Sequence, residues 1–206
     1  MKQNREYRKI DVAGLETRSD GDNSMIVEGY ATTFNQPYEL WHDSDYTVME
    51  QVDGHAFDNT DMRDVIMQYD HEGRVFARVK NGTLRVEPDE HGLKISADLG
   101  GTEIGRQLYE EIKGGYTDKM SFGFTVKDSI RTEKRDEETG KTEILRTIAA
   151  IEKLYDVSAV SLPANDATEI SVRNIGEGVI ADVVQELNAA KERRRKIAIA
   201  KALLEV

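Results

Sequence analysis

The chain has 206 residues, of which 38% are hydrophobic and 33% are charged, enough for one substantial domain with an appendage. Its net charge of −11 argues against a general nucleic-acid binder, and the absence of cysteine excludes disulfides, thiolate metal sites and cysteine nucleophiles. No apolar run reaches the roughly 18 residues that span a bilayer, and residues 1–11 contain no apolar signal region, so we expect neither a membrane span nor a secretory signal.

The first part of the chain reads mainly as short β-strands separated by polar turns. Residues 36–47 have turn chemistry and are predicted to form a long surface loop. The last strand of this part ends at Asp70–His71, which leaves the imidazole free to face a cleft. In chain order, the predicted strands here are Tyr7–Leu15, Met25–Phe34, Val48–Val52 and Val65–Tyr69.

Two turn motifs then predict a three-strand meander. Asn81–Gly82 supplies the positive φ angles that a tight hairpin turn requires, and residues 89–92 form a second turn. A helix follows, because three apolar residues recur at intervals of four and Thr102 can cap its start. The residues on its apolar face are Ile104, Leu108 and Ile112.

The remaining strands complete the body of the protein. They are predicted over Lys119–Lys127, Ile144–Ile151 and Leu154–Leu162, with residues 132–142 as a solvated hairpin tip. About nine mostly antiparallel strands with one or two helices predict a mainly β fold with some α, in the form of a closed or nearly closed β-barrel with flanking helices.

The last part of the chain changes character. Residues 179–204 have helical periodicity and predict a long amphipathic C-terminal helix, so we divide the chain into a barrel domain, 1–173, and a tail, 174–206. Residues 191–206 hold six bases and two acids, whereas the rest of the chain is strongly acidic. This asymmetry indicates that the tail has a partner of its own. RNA binding by Arg193–Arg195 and Lys196 is a minor alternative.

Three side chains are candidates for nucleophilic catalysis. His71 lies between two acids at a strand end, and a neutral imidazole is the natural base near pH 7. Ser121 opens the strand MSFGF, and Gly123 on the same face leaves space above its hydroxyl for a substrate. Asp156 interrupts an apolar strand, where a carboxylate is costly unless it is paired; it is either an outward-facing acid or one that orients a histidine.

A metal-dependent hydrolase is a competing hypothesis. It would use Asp70 and His71 with His42 or His55. No HExxH motif is present and the spacing of the histidines matches no common zinc pattern, so we expect no metal and no cofactor. His42, His55 and His91 are predicted to be surface residues.

Five segments in series resemble the tailed-phage prohead proteases, a capsid-maturation family whose fold is similar to that of the herpesvirus capsid protease. They are EGYATTFN (28–35), VDGHAF (52–57), YDHEG (69–73), KMSFGF (119–124) and LYDVSAVSLPANDAT (154–168). The resemblance implies that His71 is the catalytic histidine, Ser121 the nucleophile and Asp156 the acid, where the family more often has Glu. The turn at Ala164–Asn165 is our candidate for the oxyanion-hole amides.

The same resemblance implies a function and a location. It predicts a serine endopeptidase that cleaves scaffold, or the scaffold-like segment of the major capsid protein, inside the assembling procapsid in the bacterial host cytoplasm. Self-cleavage is also expected, at residues 132–142 or 174–178. The alternative is an inactive assembly protein on the same fold. A homodimer is an option by analogy with the herpesvirus fold.

Overall fold

The structure, a computed structural model, describes residues 5–18, 24–161 and 179–204. The described chain is mainly β with little helix, which confirms the predicted class. The strands are β1 (Glu6–Arg18), β2 (Ile26–Thr33), β3 (Tyr38–His42), β4 (Tyr46–Val52), β5 (Ile66–Tyr69), β6 (Glu72–Arg78), β7 (Leu84–Pro88), β8 (Gly92–Asp98), β9 (Lys119–Arg135) and β10 (Thr142–Val160). The helices are α1 (Glu103–Lys113) and α2 (Val179–Leu204).

The described strands form one open sheet in the order β3-β4-β10-β9-β1-β2-β8-β7, and the β5–β6 hairpin adds to β10 beside this path. The predicted closed barrel is therefore wrong, because the ends of the path, β3 and β7, do not pair with each other in the described part of the chain. The cause is the length of β10, which pairs in parallel with β4 through its first half and with β5 through its second. The sheet branches there and keeps open edges.

A long hairpin runs through the centre of the sheet. Its strands, β9 and β10, have 17 and 19 residues, and they remain antiparallel partners from Lys119↔Val160 to Arg135↔Thr142. The polar tip between them is exposed, as the sequence predicts. One end of this hairpin projects into solvent, and the other lies in the core of the sheet between β1 and β5.

Two local predictions are wrong. The predicted loop 36–47 contains β3 and the start of β4, which pair with each other. The Asn81–Gly82 turn does not join paired strands: Gly82, with φ of 78°, ends a 3-10 turn, and β6 pairs with β5 instead of β7. The second hairpin of the predicted meander, β7–β8, is present.

Helix α1 forms as its sequence predicts. Thr102 Oγ1 accepts a hydrogen bond from the backbone N–H of Gly105 at 3.0 Å, which caps the first turn. Leu108 and Ile112 are buried in the same core as Phe122 and Phe124, whose rings stack at 4.5 Å. The core therefore lies on the face of β9 opposite to Ser121 and Gly123.

The chain divides into two compact units, residues 1–167 and 168–206. In the second unit, the described element is α2. Among its apolar residues, Leu187 is buried and Ile197 is exposed. Neither helix in the described ranges combines the length and the apolar character needed to cross a membrane.

Candidate active site

His71 lies at the tip of the β5–β6 hairpin. Tyr69 and Glu72 pair across a two-residue turn in which Asp70 and His71 have φ of 47° and 61°, the pattern of a type I′ turn. Such angles are unfavourable for residues other than glycine, asparagine and aspartate, and they persist only where contacts hold them. Here Asp70 supplies those contacts: its N–H donates to Ala159 O at 3.0 Å, and its carboxylate accepts from the hydroxyl of Ser161.

The other site residues come from the central hairpin. Ser121 pairs with Ser158 across β9 and β10, and Gly123 pairs with Asp156. Residues directly opposite each other in a sheet share a face, and so do residues two apart along a strand. Ser121, Asp156 and Ser158 are all fully buried on this face.

The structure brings together the three predicted residues. His71 Nδ1 lies 2.5 Å from Asp156 Oδ1, and His71 Nε2 is hydrogen-bonded to Ser121 Oγ. A carboxylate can only accept hydrogen bonds, so Nδ1 carries the proton and Nε2 is left as the acceptor for the serine hydroxyl. This is the arrangement in which an imidazole can remove a proton from Oγ.

Asp156 is held by more than the histidine. Ser158 Oγ donates to Asp156 Oδ1 at 3.0 Å and lies 3.2 Å from His71 Nδ1. Arg5 Nη2 donates to the other carboxylate oxygen, Oδ2, in an ion pair. A fully buried carboxylate without such partners would be strongly destabilised, so these contacts keep it ionised and fixed in orientation.

Gly123 makes room for this carboxylate. A Cβ at this position would lie 2.4 Å from Asp156 Oδ2 and 2.8 Å from Tyr7 Cε1. The prediction that Gly123 leaves space for a substrate is wrong, because the side chains of Asp156, Tyr7 and Arg5 fill this space.

The opposite face of the same strands carries a buried network of four charges. Glu50 accepts from Arg8 Nη2 at 3.0 Å and from Arg146 Nη1 at 2.7 Å, and Glu6 accepts from both arginines. Burial by itself would raise the pKa of Glu50, but the two guanidinium groups outweigh it and lower the pKa. Tyr38 donates its hydroxyl to Glu50, and burial beside this carboxylate raises the pKa of Tyr38 well above its ordinary value. The network fixes β1 against β4 and β10.

The remaining candidates lie apart from this cluster or outside the described residues. His42 pairs with Glu39, and His55 pairs with Asp58. The ring of His91 packs edge-on against Tyr30. In the described part of the chain, no three His, Asp or Glu side chains are grouped as a metal site would require. Ala164 and Asn165 lie outside the described residues.

Three residues of the site were missed from the sequence. Ser158 had a usable signal, since it follows Asp156 by two residues in a strand and must share its face. Arg5 and Tyr7 had none, because they reach the site from the other end of the chain, through the pairing of β1 with β9.

Comparison with known proteins bears on the family of the chain. No curated protein and no solved structure matches the chain. The sequence profile of the Caudovirus prohead serine proteases matches residues 13–179 of the 206. The matched region contains His71, Ser121 and Asp156 and covers well over half of the sequence. The chain therefore belongs to the Caudovirus prohead serine protease family.

Proposed function

We propose that Ser121, His71 and Asp156 are the nucleophile, the general base and the orienting acid of a serine endopeptidase that matures phage procapsids. The observation that carries the proposal is the continuous hydrogen-bond chain from Ser121 Oγ through the imidazole to Asp156. Its members come from β9, β10 and the turn of the β5–β6 hairpin, and His71 is 50 positions from Ser121 and 85 from Asp156. Membership of a serine protease family supports the same roles.

The chemistry is acyl transfer in two halves. Ser121 Oγ bonds to the carbonyl carbon of the substrate while its proton passes to His71 Nε2. The C–N bond then breaks, and the same proton leaves with the amine. In the second half, a water molecule attacks the carbonyl carbon of the acyl-enzyme while His71 takes a proton from the water. The bond from this carbon to Oγ then breaks, and His71 returns the proton to Oγ. Asp156 keeps Nδ1–H pointed at itself throughout and stabilises the imidazolium.

The oxyanion that forms at the carbonyl needs donors of its own. We assign this role to backbone amides of the Ala164–Asn165 segment, which follows the strand of the acid. Because Ser121 is fully buried, a substrate must displace the groups that cover it before attack is geometrically feasible.

The substrates are the scaffold protein, or the scaffold-like segment of the major capsid protein, and the protease itself. Proteolysis needs extended and accessible backbone. The tip at residues 132–142 is largely exposed and becomes the first candidate once its hydrogen-bonded turn opens, and the glycine-containing joint at 174–178 is the second candidate. The tail, 174–206, whose basic stretch is 191–206, serves as the delivery element that joins the acidic protease domain to scaffold during assembly.

The test compares Ser121→Ala with Ser129→Ala, which removes a hydroxyl from the same strand outside the site. Each variant is incubated with procapsids that contain scaffold and major capsid protein, and cleavage is followed by gel and mass spectrometry. We expect Ser121→Ala to abolish substrate and self-cleavage while Ser129→Ala cleaves normally. In the wild type, a serine-reactive phosphonate should label Ser121 and leave Ser129 unlabelled. Cleavage by folded Ser121→Ala would refute the assignment, and a folded wild type with neither cleavage nor labelling would favour an inactive assembly protein.

A further inference from the structure

The first residues of β1 contact the candidate active site although they precede the region that matches the family, which begins at residue 13. Tyr7 pairs with Gly123 and Arg8 with Phe122, so this end of β1 is the direct neighbour of the nucleophile's strand. Alternation then divides its side chains. Arg5 and Tyr7 contact Asp156 and His71, whereas Glu6 and Arg8 join the buried network on the other face.

Arg5 is held in place from several sides. Its guanidinium lies over the ring of Tyr155 at 4.5 Å and over that of Tyr7 at 5.1 Å. The Tyr7 ring in turn meets the His71 imidazole edge-on, with centroids 4.5 Å apart. A guanidinium stacked between aromatic rings has few alternative orientations, so its N–H groups stay directed at the carboxylate.

The strand that begins directly after Arg5 is itself anchored. Arg8 Nε lies 2.5 Å from Glu50 Oε1, and Arg146 Nη1 lies 2.8 Å from Glu6 Oε2. Breaking a buried ion pair of this kind by removing one partner is strongly destabilising. The start of β1 is therefore fixed relative to β10, the strand of Asp156.

We propose that Arg5 is a positioning residue of the protease: it holds Asp156 by Oδ2 so that Oδ1 faces His71, and its charge offsets that of the carboxylate. This inference rests on the proposed function. It assigns a role in the site to residues that lie before the matched region. Arg5 acts through Asp156 and has no contact with the reacting atoms.

The charge of Arg5 has a consequence that a purely structural residue would lack. A cation close to the Asp156–His71 pair disfavours the imidazolium, so its removal should raise the pKa of His71. The base acts only when neutral, and the acid limb of kcat/KM must then move to higher pH. Several titratable residues lie near the imidazole: Tyr7 of β1 meets it edge-on, Asp70 and Glu72 flank it along the β5–β6 hairpin, and Lys9 of β1 pairs in register with Ser121.

The experiment compares Arg5→Gln and Arg5→Lys with the matched control Arg85→Gln, which breaks an exposed ion pair with Glu87 on β7. Rates of cleavage are measured from pH 5 to pH 9 on a synthetic peptide that spans the cleavage site of the capsid protein. We expect Arg5→Gln to lower kcat about 10- to 100-fold with KM within about twofold, and to shift the acid limb to higher pH. Arg5→Lys should keep the wild-type limb with an intermediate kcat. Arg85→Gln should match the wild type.

Two further measurements make the result decisive. In the Ser121→Ala background, the NMR titration of His71 should show a higher pKa with Arg5→Gln, without any need for activity. If Arg5→Gln does not fold, Arg5→Lys carries the test, and a kcat equal to that of the wild type overturns the proposal. A folded Arg5→Gln with unchanged kcat and acid limb also overturns it. If the wild type neither cleaves nor is labelled at Ser121, the proposed function fails instead.

Discussion

Gly123→Ala tests the site with the smallest perturbation, one methyl group. The added Cβ would lie 2.4 Å from Asp156 Oδ2, 2.8 Å from Tyr7 Cε1 and 3.0 Å from Arg5 Nε. Ordinary contacts of a Cβ are about 3.4 Å or longer, so the carboxylate must move by about 1 Å or turn away. Both neighbouring strands hold the backbone of Gly123, and the side chains have to give way.

The expected cost follows from that displacement. A misplacement of about 1 Å in a catalytic group can lower the rate about 100-fold, which corresponds to roughly 2.7 kcal/mol of transition-state stabilisation. We therefore expect kcat/KM of Gly123→Ala to fall by about two orders of magnitude. KM should change little, because the methyl group acts on Asp156 and not on a surface that binds substrate.

The assay is steady-state cleavage of a capsid-derived peptide, with thermal melting to establish that the variant is folded. Gly101→Ala is the matched control, because a Cβ there meets nothing within 4 Å and its φ is not in the left-handed region. A folded Gly123→Ala with kcat/KM within about threefold of the wild type would show that catalysis does not depend on Asp156 in this position.

Three other predictions concern stability. Substitution of Arg146 by Ala leaves the buried carboxylates of Glu6 and Glu50 to share the single guanidinium of Arg8, so the free energy of unfolding should fall by about 3–5 kcal/mol in urea titration; a loss below about 1 kcal/mol would contradict this. The pKa of Glu50 is lowered from its ordinary 4.5, so the ion pairs of Glu50 stabilise the folded state fully above pH 4.5. This stabilisation is lost as the pH falls towards the lowered pKa. Glu50→Gln should therefore flatten the dependence of the free energy of unfolding on pH in this acid range. Thr102→Ala removes the cap of α1 and should cost about 1 kcal/mol without affecting kcat, and an unchanged unfolding midpoint would contradict the role of the cap.

Local patterns in the sequence predict local structure well here. The cap and apolar face of α1, the β7–β8 hairpin and the polar tip of the central hairpin all follow from residues within a few positions of one another. The Asn81–Gly82 turn shows the limit of such reasoning. It bends the chain as predicted, but the choice of β5 as the partner of β6 is made by tertiary packing, which a two-residue motif does not encode.

The candidate site was predictable in part for the same reason. His71, Ser121 and Asp156 could be selected by residue type and segment resemblance, and Ser158 was accessible through strand alternation. The Arg5 contact and the four-charge network were not predictable. Arg5 and Asp156 are 151 positions apart, the network brings together residues of β1, β4 and β10 that are 42 to 140 positions apart, and no periodicity links them. The barrel prediction failed because strand counting does not reveal that β10 has two parallel partners in succession.

The pairing of β1 with β9 also constrains when the enzyme can become active. Arg5 and Asp156 are separated by 151 positions, and the strand beside β1 in the sheet is translated more than a hundred residues later. Contacts with such a high contact order form late, after the loop-closure entropy of the intervening chain has been overcome. In a nascent polypeptide on the ribosome, His71 and Ser121 are therefore synthesised before the carboxylate of Asp156 can be oriented by Arg5. The complete hydrogen-bonded cluster can form only after synthesis of nearly the whole domain.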